Sequence, residues 1–175
     1  MELLSDVCDA TLVRPADLRT DEQRVDHSTF VKILDWKIAS TPVVSCSTEA
    51  AQIMELHKIA MQVYLNRATE DILNHSDRTR DSIARAFCIL SKLRYCDRQF
   101  PVFILGCEAR SDEERAVILD IMTRTEKEVP SRTFNYCSGL VQAMWSQDDL
   151  SEGRANYWGK LNYLFSHCQN MPTFV

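Results

Sequence analysis

Cysteine is the residue type in this sequence that most readily does chemistry, because thiolates bind zinc and act as nucleophiles. The seven cysteines are Cys8, Cys46, Cys88, Cys96, Cys107, Cys137 and Cys168. None of them forms a Cys-x-x-Cys pair, and the sequence lacks the closely spaced thiolates that present several ligands to one zinc ion. We therefore predict no metal site and no cofactor, and we expect most of these side chains to be small buried hydrophobes in a reducing compartment.

Cys107 is the thiol whose position would best suit a nucleophile, since it follows Gly106 and precedes a helix start predicted at Ser111. Cysteine catalysis needs a histidine within hydrogen-bond reach of an activated thiol, and no motif places one here. The adjacent Glu108 also disfavours a thiolate, because like charges repel. We therefore expect Cys107 to pack between helices and the chain not to be an enzyme. A small hydrolase or transferase that uses Cys107 or the nearby acidic residues is a further alternative.

Three consecutive carboxylates, Asp112, Glu113 and Glu114, could form a metal site or an acid–base pair. Their position favours a structural role instead, because Ser111 and Glu114 have the three-residue separation of a capping box. Negative charge in a first helical turn is also stabilised by the positive end of the helix dipole. The pattern predicts the N-terminus of a helix rather than a catalytic centre.

Charge and hydropathy exclude other classes of function. The segment from Arg78 to Arg98 is locally basic, but the net charge of the chain is −5, and a solvated helix face explains the basic segment. The first residues lack the regions of a secretory signal, and no stretch approaches the roughly 18 apolar residues that span a bilayer. We expect an intracellular protein, nuclear or cytoplasmic, with no membrane contact and no direct contact with nucleic acid through this chain.

The elements that position these residues are predicted to be helices, because the four glycines and five prolines provide few turns. The apolar run after Pro101 is ambiguous between a strand and a buried helix. We predict a helix, since proline suits a first helical turn and no partner strand is evident. The predicted helices are Asp21–Ser40, Glu49–His75, Asp77–Arg94, the segment from Pro101, Asp112–Glu128, Thr133–Ser146 and Arg154–Cys168.

The predicted fold is all-α, a helical bundle or an orthogonal array of about seven helices. We expect one helical domain over residues 1–175, with residues 1–20 and 169–175 frayed. Apolar periodicity predicts which side chains of Asp21–Ser40 face the core. They are mostly Val25, Phe30, Ile33, Leu34 and Ile38, and Val31 and Trp36 widen the predicted face.

The segment from Phe100 to Ala109 reads Phe-Pro-Val-Phe-Ile-Leu-Gly-Cys-Glu-Ala, and a short acidic turn and a helix with Arg115 follow it. This combination resembles the C-terminal part of the fungal-specific transcription factor domain, the helical regulatory domain that follows a zinc-cluster DNA-binding domain in many fungal regulators. The matching residues are Phe100, Pro101, Phe103, Gly106, Cys107, Glu108, Ala109 and Arg115. Phe100 departs from the tryptophan usual in the family. We expect structural roles for Phe100, Pro101, Gly106, Glu108 and Arg115.

Other segments extend the resemblance over Glu49–Phe165. Leu56–Arg67 is similar to the family's helix with the pattern Ala-x-x-x-Tyr-Leu-x-Arg. Leu140–Trp145 and Trp158–Leu164 resemble the family's last two helices. The zinc cluster of the family has no counterpart in this sequence, so the resemblance concerns the regulatory domain and not the module that reads DNA.

The resemblance implies a non-enzymatic regulatory domain that binds a small apolar effector, a protein partner or both through its helix faces. Some family members sense apolar effectors such as sterols. The side chains that could line a cavity are Met54, Met61, Tyr64, Phe87, Phe103, Cys107, Met122 and Met144. A filled core explains the same residues, and a ligand-free interaction or dimerisation scaffold is the alternative function. Because the chain covers about half of the family domain, we expect an uncovered apolar face, and hence a homodimer or another protein partner.

Overall fold

The computed structural model describes residues 2–13, 17–42, 48–69, 72–73, 76–150 and Gly159. Their helices are α1 (Glu2–Leu12), α2 (Asp21–Ser40), α3 (Glu49–Ala68), α4 (Ser76–Leu90), α5 (Gln99–Glu108), α6 (Asp112–Glu128) and α7 (Arg132–Leu150). These residues contain no strand, and the ambiguous apolar run after Pro101 is helical, so the all-α prediction is confirmed. The helix predicted at Arg154–Cys168 lies outside the described residues, apart from Gly159.

The chain divides into two compact units, Met1–Ala84 and Arg85–Val175. The first unit holds α1, α2, α3 and the first turns of α4. The second unit holds the end of α4 together with α5, α6 and α7. Each unit has its own set of helix contacts, and the single domain expected over residues 1–175 stays a prediction.

The core of the first unit forms where α1, α2 and α3 pack on one another. Its buried members are Val7, Ala10, Val31, Leu34, Ile38, Leu65 and Leu73. Polar contacts also join these helices. The Thr11 hydroxyl of α1 donates to the Tyr64 hydroxyl of α3 at 3.1 Å. The Lys58 ammonium donates to the carbonyl oxygens of Ala39 at 2.6 Å and Thr41 at 3.0 Å. Lys58 therefore satisfies carbonyls that the end of α2 leaves without helical partners.

The bounds of α2 are those predicted, but its buried face is not. Thr20 and Gln23 form a capping box at its N-terminus. The buried residues of α2 are His27, Val31, Leu34 and Ile38. Val25, Phe30 and Ile33 are instead exposed, so the prediction that they face the core is wrong.

A buried histidine explains this error. Apolar side chains surround most of α2, so a period of 3.6 residues does not by itself choose the face that is buried. His27 lies on the buried face, where its Nε2 is 3.0 Å from the Ala10 carbonyl oxygen of α1. This contact gives Nε2 a partner inside the core, while Nδ1 has none among the described residues. With a histidine on it, the buried face looks less apolar in the sequence than it is in the fold.

The long helix predicted to reach His75 ends at Ala68 as α3. The next residue, Thr69, donates from both its backbone N–H and its hydroxyl to the Leu65 carbonyl oxygen, at 3.1 and 2.6 Å. Threonine hydroxyls compete for helical carbonyls in this way and favour helix ends. The apolar periodicity that continues beyond Thr69 is therefore not helical throughout.

In the second unit, α4 ends at Leu90 rather than at the predicted Arg94. The Arg124 guanidinium of α6 donates to the carbonyl oxygens of Leu90 and Leu93. Arg124 also forms an ion pair of 2.8 Å with Asp120, four residues earlier on its own helix. A side chain from another helix thus supplies the C-terminal cap of α4.

Helix α5 is the most buried helix of the second unit and packs on both α6 and α7. Its buried residues are Phe100, Pro101, Val102, Phe103, Ile104, Leu105, Gly106 and Glu108. A helix that is apolar around its circumference belongs at the centre of a helical domain. The family motif of the sequence therefore forms the core helix of this unit.

Candidate functional site

Helices α5 and α7 approach each other closely at Gly106. A Cβ atom placed on Gly106 would lie 2.9 Å from Cγ1 and 3.0 Å from Cγ2 of Val141. Carbon atoms in favourable contact are about 3.5–4.0 Å apart, so even a methyl group would force a shift here. Val141 is completely buried and its β-branched side chain is stiff, which makes that shift costly.

Trp145 of α7 adds a hydrogen bond to the same contact. Its indole Nε1 donates to the Gly106 carbonyl oxygen at 2.8 Å, and the side chain is buried. The carbonyls in the last turn of a helix lack a helical partner four residues later. Trp145 supplies a donor for one of these carbonyls while its ring fills the core, as buried tryptophans usually do.

Arg115 of α6 contacts α7 at this point. Its guanidinium donates two hydrogen bonds to the Asp149 carboxylate, at 2.9 and 2.8 Å, and its Cζ lies 5.4 Å from the centroid of the Trp145 ring. The bidentate geometry is the strong form of this ion pair, and the ring distance suits a cation–π contact. We call Gly106, Arg115, Trp145 and Asp149 the helix junction.

The helix junction is suited to holding three helices together rather than to catalysis. The hydrogen bonds from Arg115 hold the pKa of the Asp149 carboxyl below its ordinary value, so this carboxylate is a poor proton donor or acceptor near neutral pH. Structural roles for Gly106 and Arg115 were predicted from the family motif. Asp149 was missed, because it lies 34 residues from Arg115 and no local spacing links two such positions.

The acidic cluster after Ser111 acts as predicted. The Ser111 hydroxyl accepts from the Glu114 backbone N–H at 3.2 Å, and the Glu114 carboxylate accepts from the Ser111 backbone N–H at 3.2 Å. Hydrogen bonds from the backbone N–H of Glu113 and from Ser111 lower the pKa of the Glu113 carboxyl. These contacts confirm the capping box and explain the three carboxylates without a metal or a substrate.

The thiols of the described residues differ in exposure. Cys96 and Cys137 are buried, Cys107 is half-buried, and Cys8 and Cys88 are exposed. Burial raises the pKa of Cys96 to about 11 and that of Cys137 to about 12, so both stay protonated at neutral pH. The other two of the seven cysteines lie outside the described residues. Among the described residues, no group of three or more His, Cys, Asp or Glu side chains could hold a metal ion.

The eight residues proposed to line an apolar pocket fall in both units. Met54, Met61 and Tyr64 belong to the first unit, where the Met54 side chain is exposed and the other two pack on the core. The members in the second unit are Phe87, Phe103, Cys107, Met122 and Met144, and all except the half-buried Cys107 are buried. Their role in binding an effector stays a prediction.

A small polar cleft in the first unit was not predicted. Arg78 pairs with Asp35 at 3.1 Å beside it, and the Asn66 amide donates to the Thr79 hydroxyl at 2.9 Å within it. The Asn66 Oδ1 atom is buried without a hydrogen-bond partner among the described residues. The cavity of about 10 Å³ has room for one water molecule, which would satisfy this oxygen. It is too small for an apolar effector.

Most of the exposed large apolar side chains among the described residues of the first unit lie on α2. Four of its side chains are exposed on the helix surface away from the core: Val25 by 64%, Phe30 by 41%, Ile33 by 46% and Trp36 by 68%. We call these four residues the outer face of α2. On α6, by contrast, Leu119 is the one large apolar side chain that is exposed, by 40%. Grouped exposed apolar side chains are typical of interaction sites, whereas single ones are common on any protein.

Comparisons with known proteins agree with the resemblance seen in the sequence. A model of the fungal-specific transcription factor domain matches residues 16–169. The chain is 40% identical over 176 residues to the transcription factor iacI of Pestalotiopsis fici, and the alignment covers 100% of this chain and 46% of that protein. The chain thus spans about half the length of this curated relative. No solved structure matches the chain.

The family model and the relative both describe transcription factors, a class of regulators that are not enzymes. No helix within the described ranges combines the length and the hydropathy needed to cross a bilayer. The all-α fold, the buried motif helix α5 and the match over residues 16–169 agree with one another. The chain belongs to the family of the fungal-specific transcription factor domain.

Proposed function

We propose that this chain is the regulatory part of a fungal transcription regulator and that it binds a protein partner through the outer face of α2. The observation that carries the proposal is the exposure of four large apolar side chains on a helix whose opposite face is fully packed. Exposed apolar patches on soluble proteins usually meet another surface. Trp and Phe within such a patch are also residue types that dominate the binding energy of interfaces.

In this proposal the chain acts in the nucleus and leaves DNA contact to another part of the regulator. The net charge of −5 supports this division, because DNA-binding surfaces are basic. Binding of a partner at α2 favours one arrangement of the regulator over another, and it thereby changes transcription to the extent that the partner prefers that arrangement.

A reporter assay in fungal cells tests the proposal. When the whole chain is fused to a heterologous DNA-binding domain, we expect it to change transcription of the reporter. Phe30→Glu and Trp36→Glu place charge within the outer face and are expected to abolish that change. Leu119→Glu adds the same charge at an isolated exposed apolar residue of α6 and is the matched control, expected to behave as the parent.

Circular dichroism melting of the purified variants shows whether each is folded, and the reporter result counts only for folded variants. A normal reporter response from folded Phe30→Glu and Trp36→Glu would rule out the outer face of α2 as the functional surface. A fusion that never changes transcription would count against the regulatory function itself.

Binding of a small apolar effector is the second candidate, and it rests on the family resemblance together with three buried side chains of the second unit: Phe103, Met122 and Met144. Methionine side chains adapt to irregular ligands as readily as they fill a core. A ligand-free scaffold explains the same packing, and the outer face of α2 is available in both cases.

A further inference from the structure

We infer that the partner of the outer face of α2 is a second copy of this chain, packed with its own α2 antiparallel to the first. This inference rests on the proposed function, because it names the partner that the exposed face binds. The argument depends on the order of charged and apolar side chains along the exposed side of α2.

Two parallel rows of exposed side chains run along α2. Residues four, three and four positions apart lie almost in line on a helix with about 100° between successive residues. The first row, which we call the charged row, consists of Asp26, Phe30, Ile33 and Lys37. The second, the tryptophan row, consists of Val25, Thr29, Lys32 and Trp36. All eight residues are exposed, so both rows are accessible to another molecule.

The charged row of one copy is complementary to the charged row of a second copy that runs in the opposite direction. Its spacing is the same from either end, with an acid at the first position, a base at the last and two apolar residues between them. If a second copy is turned end over end, Asp26 faces Lys37 of that copy and Phe30 faces Ile33 of that copy. A two-fold axis repeats both contacts, as in any isologous dimer. Each end of the row then carries an ion pair, and the middle is apolar.

The tryptophan row satisfies the same symmetry. When it is reversed, Val25 faces Trp36 of the second copy and Thr29 faces Lys32. The Thr29 hydroxyl already donates to the Val25 carbonyl oxygen of its own helix at 2.8 Å, so its methyl group is left for packing against the Lys32 stem. The midpoints of the two rows lie one residue apart, about 1.5 Å along the helix axis, so a two-fold axis at Val31 passes within about 0.8 Å of both.

A parallel arrangement of two copies does not have this complementarity. It would place Asp26 beside Asp26 and Lys37 beside Lys37, and like charges across an interface suppress such pairings. It would also align the two helix dipoles in the same direction, which is less favourable than the antiparallel arrangement. The charge order along α2 therefore selects one orientation of the second copy.

Size-exclusion chromatography with light scattering on the full chain tests whether the dimer exists and whether it uses this face. The parent chain is expected to be a dimer, and folded Ile33→Glu is expected to be a monomer because it buries a charge between two apolar surfaces. Leu119→Glu is the matched control and is expected to stay a dimer. A monomeric parent, or an Ile33→Glu variant that still dimerises, would overturn the inference.

A charge exchange tests the antiparallel register. Asp26→Lys and Lys37→Asp each replace two attractive pairs by two repulsive ones, and each is expected to weaken self-association by about tenfold or more. An equimolar mixture of the two variants restores both pairs in the heterodimer, because every position 26 then meets its opposite charge at position 37. The mixture, and the double variant alone, are expected to regain the affinity of the parent.

The outcomes separate this inference from the proposed function. If the mixture stays as weak as the single variants, the antiparallel register is wrong. If the chain is a monomer while Phe30→Glu still abolishes the reporter response, the outer face binds a different protein, and the second copy is excluded although the proposed function stands. If the chain dimerises as described and the reporter never responds, the proposed function fails alone.

Discussion

Helices α2 and α6 have similar local chemistry and different surroundings. Each begins with a capping box, Thr20 with Gln23 in α2 and Ser111 with Glu114 in α6. Polar side chains of α6 reach its neighbours, since Arg115 pairs with Asp149 of α7. Helix α2 instead carries four large apolar side chains that are exposed on its outer face.

This comparison separates exposed apolar residues that are incidental from those that indicate an interface. On α6 Leu119 is the one large apolar side chain that is exposed, and the nearby Arg115 side chain contacts another helix. On α2 the exposed apolar residues form aligned rows with charges at their ends. If the comparison is right, buried aromatic residues of the second unit should matter for folding and exposed ones of α2 for association.

The largest expected effect comes from a matched pair of tryptophan substitutions. Trp145→Ala removes a buried ring and the donor to the Gly106 carbonyl, and should lower the free energy of unfolding by about 4 kcal/mol. Trp36→Ala removes a side chain that is 68% exposed and should change it by less than about 0.5 kcal/mol. Urea denaturation at low protein concentration measures both values without a contribution from association.

Equal losses from the two tryptophan substitutions would contradict the distinction between the two regions. A large loss from Trp36→Ala alone would mean that α2 packs on other parts of the chain through its outer face. Repeating the measurement at high protein concentration then sharpens the test, because a dimer that uses Trp36 should make the parent more stable as concentration rises and should stabilise Trp36→Ala much less.

Two glycine substitutions are expected to change the free energy of unfolding by intermediate amounts and in opposite directions. Gly106→Ala forces a methyl group against Val141 and should lower the free energy of unfolding by about 1–3 kcal/mol. Gly139→Ala adds a methyl group in α7 that would meet no neighbouring side chain or other element within 4 Å, and it should raise the free energy of unfolding by about 0.5–1 kcal/mol through helix propensity. Thermal and urea unfolding measure both, and a stabilising Gly106→Ala would show that α5 and α7 are not in tight contact.

The smallest expected effect is the pH dependence of stability that arises from the helix junction. Since Arg115 holds the pKa of Asp149 below its ordinary value of 3.8, the stability from this pair is complete above that value and is lost as pH falls through the lowered pKa. NMR titration of the Asp149 carboxyl should show a pKa below 3.8 in the parent and an upward shift in Arg115→Met. An unchanged titration midpoint in Arg115→Met would remove Arg115 as the cause.

Local signals in the sequence were sufficient for several features. Ser111 and Glu114 predicted both the start of α6 and its capping box, and the predicted bounds of α2 and α6 agree with the structure. Capping depends on residues three positions apart, so the chain carries this information locally. The helical state of the run after Pro101 was also predictable from the position of its proline.

Other features depend on residues far apart in the chain. Helix α7 continues to Leu150, beyond its predicted end at Ser146 and into a polar segment. Asp149 in this segment pairs with Arg115, 34 residues away, so a polar stretch is retained within a helix. The buried face of α2 likewise depends on a contact between His27 and the Ala10 carbonyl of another helix.

Composition, helix caps and one motif determined by themselves that the chain is helical, where most helices begin and which family it resembles. These properties follow from interactions within a few residues. The tertiary structure alone decided which side of α2 is buried, which arginine braces which helix and where apolar side chains remain exposed. More than one face of an apolar helix can pack against neighbouring elements. Only the positions of those elements in the folded protein determine which face is buried.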